Sequence, residues 1–150
     1  MIFDLETFPW PWNTSSIERV LLKHVLEHLG QTTETYLAIL GELWRVCENR
    51  AQIEIQVPHP HHHTFIGDPT HCRVVTPEQF ALFDVDENPD CPLRIETGLG
   101  FKVLDLFYVP AHDYKQMLDA GEITYQEVLD LSFKQLNVMH ETKILIEVVK

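Results

Sequence analysis

Positive charge is scarce in this sequence. Eleven Lys and Arg stand against 23 Asp and Glu, for a formal net charge of −12. Such a balance argues against non-specific binding to nucleic acid, because like charge repels phosphate. Cysteine is also sparse: Cys47, Cys72 and Cys91 are odd in number and form no Cys-x-x-Cys pair. Neither a disulfide framework nor a zinc ribbon is suggested, and a reducing cytoplasm is the simplest home. No apolar run approaches the roughly 20 residues that span a bilayer, and no basic-then-apolar signal opens the chain. Gly-x-Ser-x-Gly, a phosphate loop and Gly-x-Gly-x-x-Gly are all missing. The common nucleophile-elbow and nucleotide-cradle chemistries therefore have no footing here.

What is present fits one soluble globular domain. The chain has 150 residues, 45% of them hydrophobic. That length is enough to bury roughly 70% of the unfolded surface. The organising stretch is Ile17 to Leu29, IERVLLKHVLEHL. Arg19 to Lys23 is expected to form a buried strand, with His24 to Leu29 as the polar turn leaving it. Open α/β sheets present ligand-facing groups at such strand ends.

The rest of the chain alternates helical and strand patterns, which means an α/β layer fold. Ile2 to Glu6 reads as extended, and Phe8-Pro9-Trp10-Pro11-Trp12 as a rigid loop. Thr32 or Thr33 caps a helix reaching about Cys47, with a turn at Glu48 to Arg50. Ala51 to Val57 alternates like a strand. His59 to Arg73 is too polar and proline-rich for regular structure. Thr76-Pro77 starts a short helix that turns Phe80 and Phe83 inward. An acidic turn spans Asp84 to Pro92, and Gly100 to Val109 reads as an apolar strand. Helices are expected at Tyr114 to Ala120 and at Thr124 to Leu136, the second packing Val128, Leu129, Leu131 and Phe133. His140 to Lys150 closes the sheet.

Two groups of residues could carry chemistry. The loop with His59, His61, His62, His63 and His71 has imidazoles enough for a transition metal. Its spacing matches no metal signature, and three consecutive histidines cannot face one ion. A solvated, pH-sensitive loop is the preferred reading, and no metal ligand is assigned. His24, Glu27 and His28 stand at i, i+3 and i+4 and share one face of a helical turn. They suit general acid–base work or a partial metal site; equally, Glu27 and His28 could only brace the neighbouring loop.

Three stretches together resemble one family. Asp4-Leu5-Glu6 with Pro9-Trp10-Pro11-Trp12, then His24-Val25-Leu26-Glu27-His28-Leu29, then Val57-Pro58-His59 with Asp68-Pro69-Thr70-His71-Cys72-Arg73 are similar to class I S-adenosylmethionine-dependent methyltransferases of the small-molecule type. Leu43-Trp44-Arg45-Val46 and the closing ILIEVVK resemble the family's helix and last strand, while Glu18 replaces a usual aspartate. The resemblance implies a Rossmann-like α/β sheet, mixed because its last strand is antiparallel, with flanking helices and S-adenosylmethionine as cofactor. It implies adenine contacts from Asp4 and Leu5, and a substrate pocket drawing on His28, His59, His71 and Arg73.

In that family the glycine-rich cofactor loop and the ribose-binding acid lie upstream of the Asp-Leu stretch. Asp4 is the fourth residue here, so the resemblance implies a truncated domain that lacks this half. Weak or absent cofactor binding by the chain alone is the expectation. The alternatives are a non-catalytic dimerisation or binding module and a metal-binding histidine-loop protein. The family's strand order, three-two-one-four-five-seven-six, would leave the Ile17 strand with a bare edge flanked by Val20, Leu21 and Leu22. The N-terminal segment folding back to pair there, a homodimer, or a partner supplying the missing half would relieve it, and the homodimer is the favoured expectation. A further expectation is that His71 is more buried than His61 to His63.

Overall fold

The computed structural model describes residues 3–150. Four strands, β1 (Ile17–Lys23), β2 (Cys47–Pro58), β3 (Phe101–Pro110) and β4 (Met139–Val148), lie in the order β1-β2-β4-β3. β1 and β2 are parallel, whereas β4 runs antiparallel to both β2 and β3. This is the four-five-seven-six half of the expected order, antiparallel strand included.

A parallel pair needs a crossover, and α1 (Thr33–Val46) supplies it. Thr32 caps it, its hydroxyl accepting the Thr35 N–H at 3.2 Å. Tyr36, Ile39, Leu40, Leu43 and Val46 recur at helical spacing and are buried against the sheet. Each such side chain contributes roughly 1.5–3 kcal/mol of burial. The sheet answers with period-two rows, Ile53 and Ile55 on β2 beside Ile144 and Ile146 on β4, all nearly inaccessible. α2 (His63–Ile66), α3 (Pro77–Ala81), α4 (Pro92–Thr97), α5 (His112–Asp119) and α6 (Tyr125–Ser132) complete the chain. Phe80 and Phe83 meet Phe101 edge-on at 6.5 and 6.0 Å between ring centres.

Several boundaries differ from the sequence reading. The turn at Glu48 to Arg50 is part of β2: partners step from Ile17↔Cys47 to Arg19↔Gln52, and the extra residues form an irregularity with Arg50 at φ 70. A bulge carries polar side chains as readily as a turn does. Within the histidine loop one helical turn, α2, forms where the His62 imidazole accepts the Thr64 N–H. α4 was not expected; Pro92 opens it and Gly98 closes it at φ 69. α6 stops at Ser132, leaving Phe133 75% exposed rather than packed. β3 is an edge strand whose Leu104, Leu106 and Phe107 are exposed. Of the extended N-terminal segment, Met1 and Ile2 lie outside the described residues, and Asp4 begins a turn closed by Thr7 N–H to Asp4 O at 3.0 Å.

Candidate functional site

The site is built where β1 ends. His24 takes a left-handed φ of 51 and its N–H donates to the Gln56 carbonyl at 2.8 Å, so the chain turns sharply off the sheet. A single 3-10 turn, Leu26–His28, follows, with Leu26 fully buried as its anchor. The turn carries Glu27 inward to 1% exposure and leaves the His28 side chain about one-third exposed. The Glu27 carbonyl accepts two N–H groups from the loop after α2, Cys72 at 2.9 Å and Arg73 at 3.2 Å. Those bonds bring His71 to His28, 4.6 Å between ring centres.

Each imidazole has a fixed outer partner. His71 Nδ1 lies 2.9 Å from the Phe65 carbonyl, and its ring stacks on Phe65. His28 Nδ1 lies 3.0 Å from Thr70 Oγ1, which donates to Asp68 Oδ1 at 2.6 Å. The side-chain and backbone donors of Thr70 hold the Asp68 carboxyl below its ordinary range. His24 Nε2 lies 3.0 Å from Glu141 Oε1, while its Nδ1 is 3.4 Å from Glu27 Oε1. Glu27 itself is unusual: among the described residues neither carboxylate oxygen has a hydrogen-bond partner. His28 Nε2, 3.9 Å from Glu27 Oε1, completes this crevice outside the carboxyl ends of β1 and β2.

The structure unites some candidates and separates others. His28 and His71 meet. Arg73 lies beside them, but its guanidinium donates to the Gly30 carbonyl and covers the Tyr36 ring at 4.1 Å. Burial pushes the Tyr36 phenol up to about 12 despite that cation. His59 belongs to another cavity, of about 160 Å³, lined with His61, Val75, Tyr108 and Ser132. Burial, then the charges of His61 and His62, lowers His59 to about 4. Asp4 caps its own turn by accepting the Glu6 N–H at 3.0 Å, and Leu5 packs near Trp10 and Ile17.

The expectation for His71 holds against His61 and His63, which are exposed, but not against His62, which is 5% exposed. α2 turns the His62 ring onto His140, 4.8 Å away. Glu141 and Gln56 had no sequence signal, since β4 brings Glu141 to the site from 117 residues beyond His24.

Among solved structures the fold has close counterparts. A SAM-dependent methyltransferase from Archaeoglobus fulgidus matches with a TM-score of 0.62 at 16% identity, over 98% of this chain and 66% of its own. The fold is that of the class I S-adenosylmethionine-dependent methyltransferases. A Haloferax volcanii chain solved in complex with the Trm112 methyltransferase activator matches at 0.55 and 9% identity, over 100% of this chain and 61% of that one. The [4+2]-cyclase SpnF matches this methyltransferase fold at 0.53 and 14%, over 99% and 56%. This chain thus spans less than two thirds of each of these structures. No protein-family profile and no curated protein matches it. No helix among the described residues is long and apolar enough to cross a membrane.

Proposed function

We propose that this chain is the acceptor side of an S-adenosylmethionine-dependent methyltransferase, with most cofactor contacts supplied by residues outside these 150. The observation that carries the reading is the strand order β1-β2-β4-β3, with its polar crevice at the parallel strand ends. The described residues hold no Gly-x-Gly-x-x-Gly turn to bring backbone donors against a cofactor. Asp4 and Leu5 are the proposed adenine contacts. His28 and His71 are the proposed acceptor-facing groups, set side by side in the crevice at the strand ends. Arg73 is engaged with Gly30 and serves the pocket through loop placement, and His59 stands in a neighbouring cavity.

The missing contacts come from further polypeptide or from a second chain, and a homodimer through β1 is the assembly we favour. One structural neighbour, from Haloferax volcanii, is a complex of a methyltransferase with an activator chain. Titrating the ¹⁵N-labelled chain with S-adenosylhomocysteine tests this reading. Weak, saturable shifts confined to residues 4–12 and 24–30 are expected. A low-micromolar dissociation constant for the chain alone would refute the incomplete cofactor site. No response at millimolar ligand would favour a non-catalytic binding module, as a fold by itself does not fix chemistry.

A further inference from the structure

We propose that Glu27, His28 and His71 bind one divalent transition-metal cation at the carboxyl ends of β1 and β2. The proposal does not depend on methyl transfer. It starts from Glu27, a carboxylate at 1% exposure whose oxygens accept no hydrogen bond, the nearest nitrogens being His24 Nδ1 at 3.4 Å and His28 Nε2 at 3.9 Å. A buried carboxylate without donors is costly unless a cation or a proton satisfies it. The guanidinium of Arg73 does not reach it, being committed to the Gly30 and Thr32 carbonyls.

The surroundings then show which kind of cation fits. A carbonyl can only accept, so His71 Nδ1 donates to Phe65, and Nε2 is the nitrogen left to offer a lone pair to a metal. Thr70 gives its hydroxyl proton to Asp68, so it accepts from His28 Nδ1, and His28 Nε2 is likewise bare. The ligand atoms of Glu27, His28 and His71 lie within 4.8 Å of one another. With both Nδ1 atoms engaged outward, the two Nε2 atoms and the carboxylate face one another, an arrangement that a cation among them would satisfy. The outer bonds to Phe65 and Thr70 are the second-shell contacts that fix imidazole tautomers at metal sites.

Two imidazoles and one carboxylate suit zinc, cobalt, nickel or ferrous iron better than magnesium or calcium. Tetrahedral ligands around zinc stand roughly 3.4 Å apart, and His28 Nε2 stands 3.9 Å from Glu27 Oε1. His24 Nδ1 and Asp68 Oδ2, 3.4 and 3.7 Å from Glu27 Oε1 and His71 Nε2, flank the site. This differs from the histidine-loop site weighed from sequence, because His59, His61, His62 and His63 take no part.

The test uses the full chain without a histidine tag, stripped with chelator and titrated with Co²⁺ by visible absorption and with Zn²⁺ by calorimetry. One equivalent is expected to bind, with His28→Ala and His71→Ala each weakening it about ten-fold or more. His28 is partly exposed, so His28→Ala is expected to keep the wild-type melting temperature while losing the cobalt bands. The double variant His61→Ala with His63→Ala is expected to bind as wild type does. Absence of saturable Co²⁺ or Zn²⁺ binding, leaving Glu27 to be satisfied by a proton on its neighbours, would overturn the proposal. So would binding that survives His28→Ala and disappears in the loop double variant.

Discussion

Arg73 grips the carbonyl of Gly30 with two N–H groups, Nε at 3.0 Å and Nη2 at 2.6 Å, while its plane lies over Tyr36. The contact ties the loop that carries His71 to the turn that carries Glu27 and His28. Charge-assisted hydrogen bonds contribute about 1.5–3 kcal/mol and a cation over an aromatic face about 0.5–1. Arg73→Ala is therefore expected to destabilise by about 2–3 kcal/mol. Arg73→Lys should recover under half of that, since lysine lacks the two-pronged geometry. Urea unfolding checks both; a loss below about 0.5 kcal/mol for Arg73→Ala would mean the loop is held by other contacts.

Gly30 is fixed from the other side as well. Its N–H donates to Glu6 Oε1 at 2.7 Å, its φ is +69, and an added Cβ would stand 2.7 Å from Tyr36 Cβ and 2.8 Å from Tyr36 Cα. The left-handed backbone alone costs a non-glycine residue about 1–2 kcal/mol, and the clash is with the first turn of α1, which cannot swing away. Gly30→Ala is expected to destabilise by about 2–4 kcal/mol. A melting temperature within a degree of wild type would sink this.

These two residues also show how far the sequence was legible. The polar strand end of β1 was visible, because an apolar run giving way to His24, Glu27 and His28 is a local pattern. So were the capped helix α1, the alternating β2 and the closing strand β4. Glu27 as an unpartnered carboxylate was not visible, since its burial depends on the loop 45 residues away that covers it. Arg73 looked like a pocket residue because its loop resembles the one that covers the acceptor in methyltransferases; its carbonyl partner at Gly30 is set by the tertiary path alone. The division of the histidines likewise follows from α2, a single turn too short to register as a period.

The buried histidines give acid sensitivity of a definite sign. His59 falls from an ordinary 6.5 to about 4 through burial, and His62 is lowered by burial and by His63 and His140. Between about pH 6.5 and 4 the unfolded chain binds more protons than the folded one, so stability falls as pH falls through that window. His59 accounts for up to roughly 3 kcal/mol of the loss, complete below about pH 4. His59→Asn is expected to flatten the decline in melting temperature from pH 7 to pH 4.5, with His62 preserving part of the slope. Parallel curves for variant and wild type would show that His59 is readily protonated in the folded state.

The edge of β1 leads to the last prediction. Among the described residues β1 pairs only with β2, so its other side presents backbone N–H and C=O groups. Leu21 is 61% exposed there, Val20 is half-buried, and Leu22, contrary to the sequence expectation, is only 6% exposed and packed inward. The N-terminal segment packs Leu5, Trp10 and Trp12 beside this strand without joining its ladder. Open edges with apolar neighbours template pairing with another chain. Two copies related by a two-fold axis would pair β1 with β1 antiparallel, bringing each Leu21 against the other protomer. Leu21→Glu places like charges across that axis and leaves the monomer's core untouched. Light scattering is expected to find a dimer for the wild type at tens of micromolar and a monomer for Leu21→Glu, with equal melting cooperativity. A wild-type chain that remains monodisperse and monomeric at high micromolar concentration would refute self-pairing and leave the edge for a different partner.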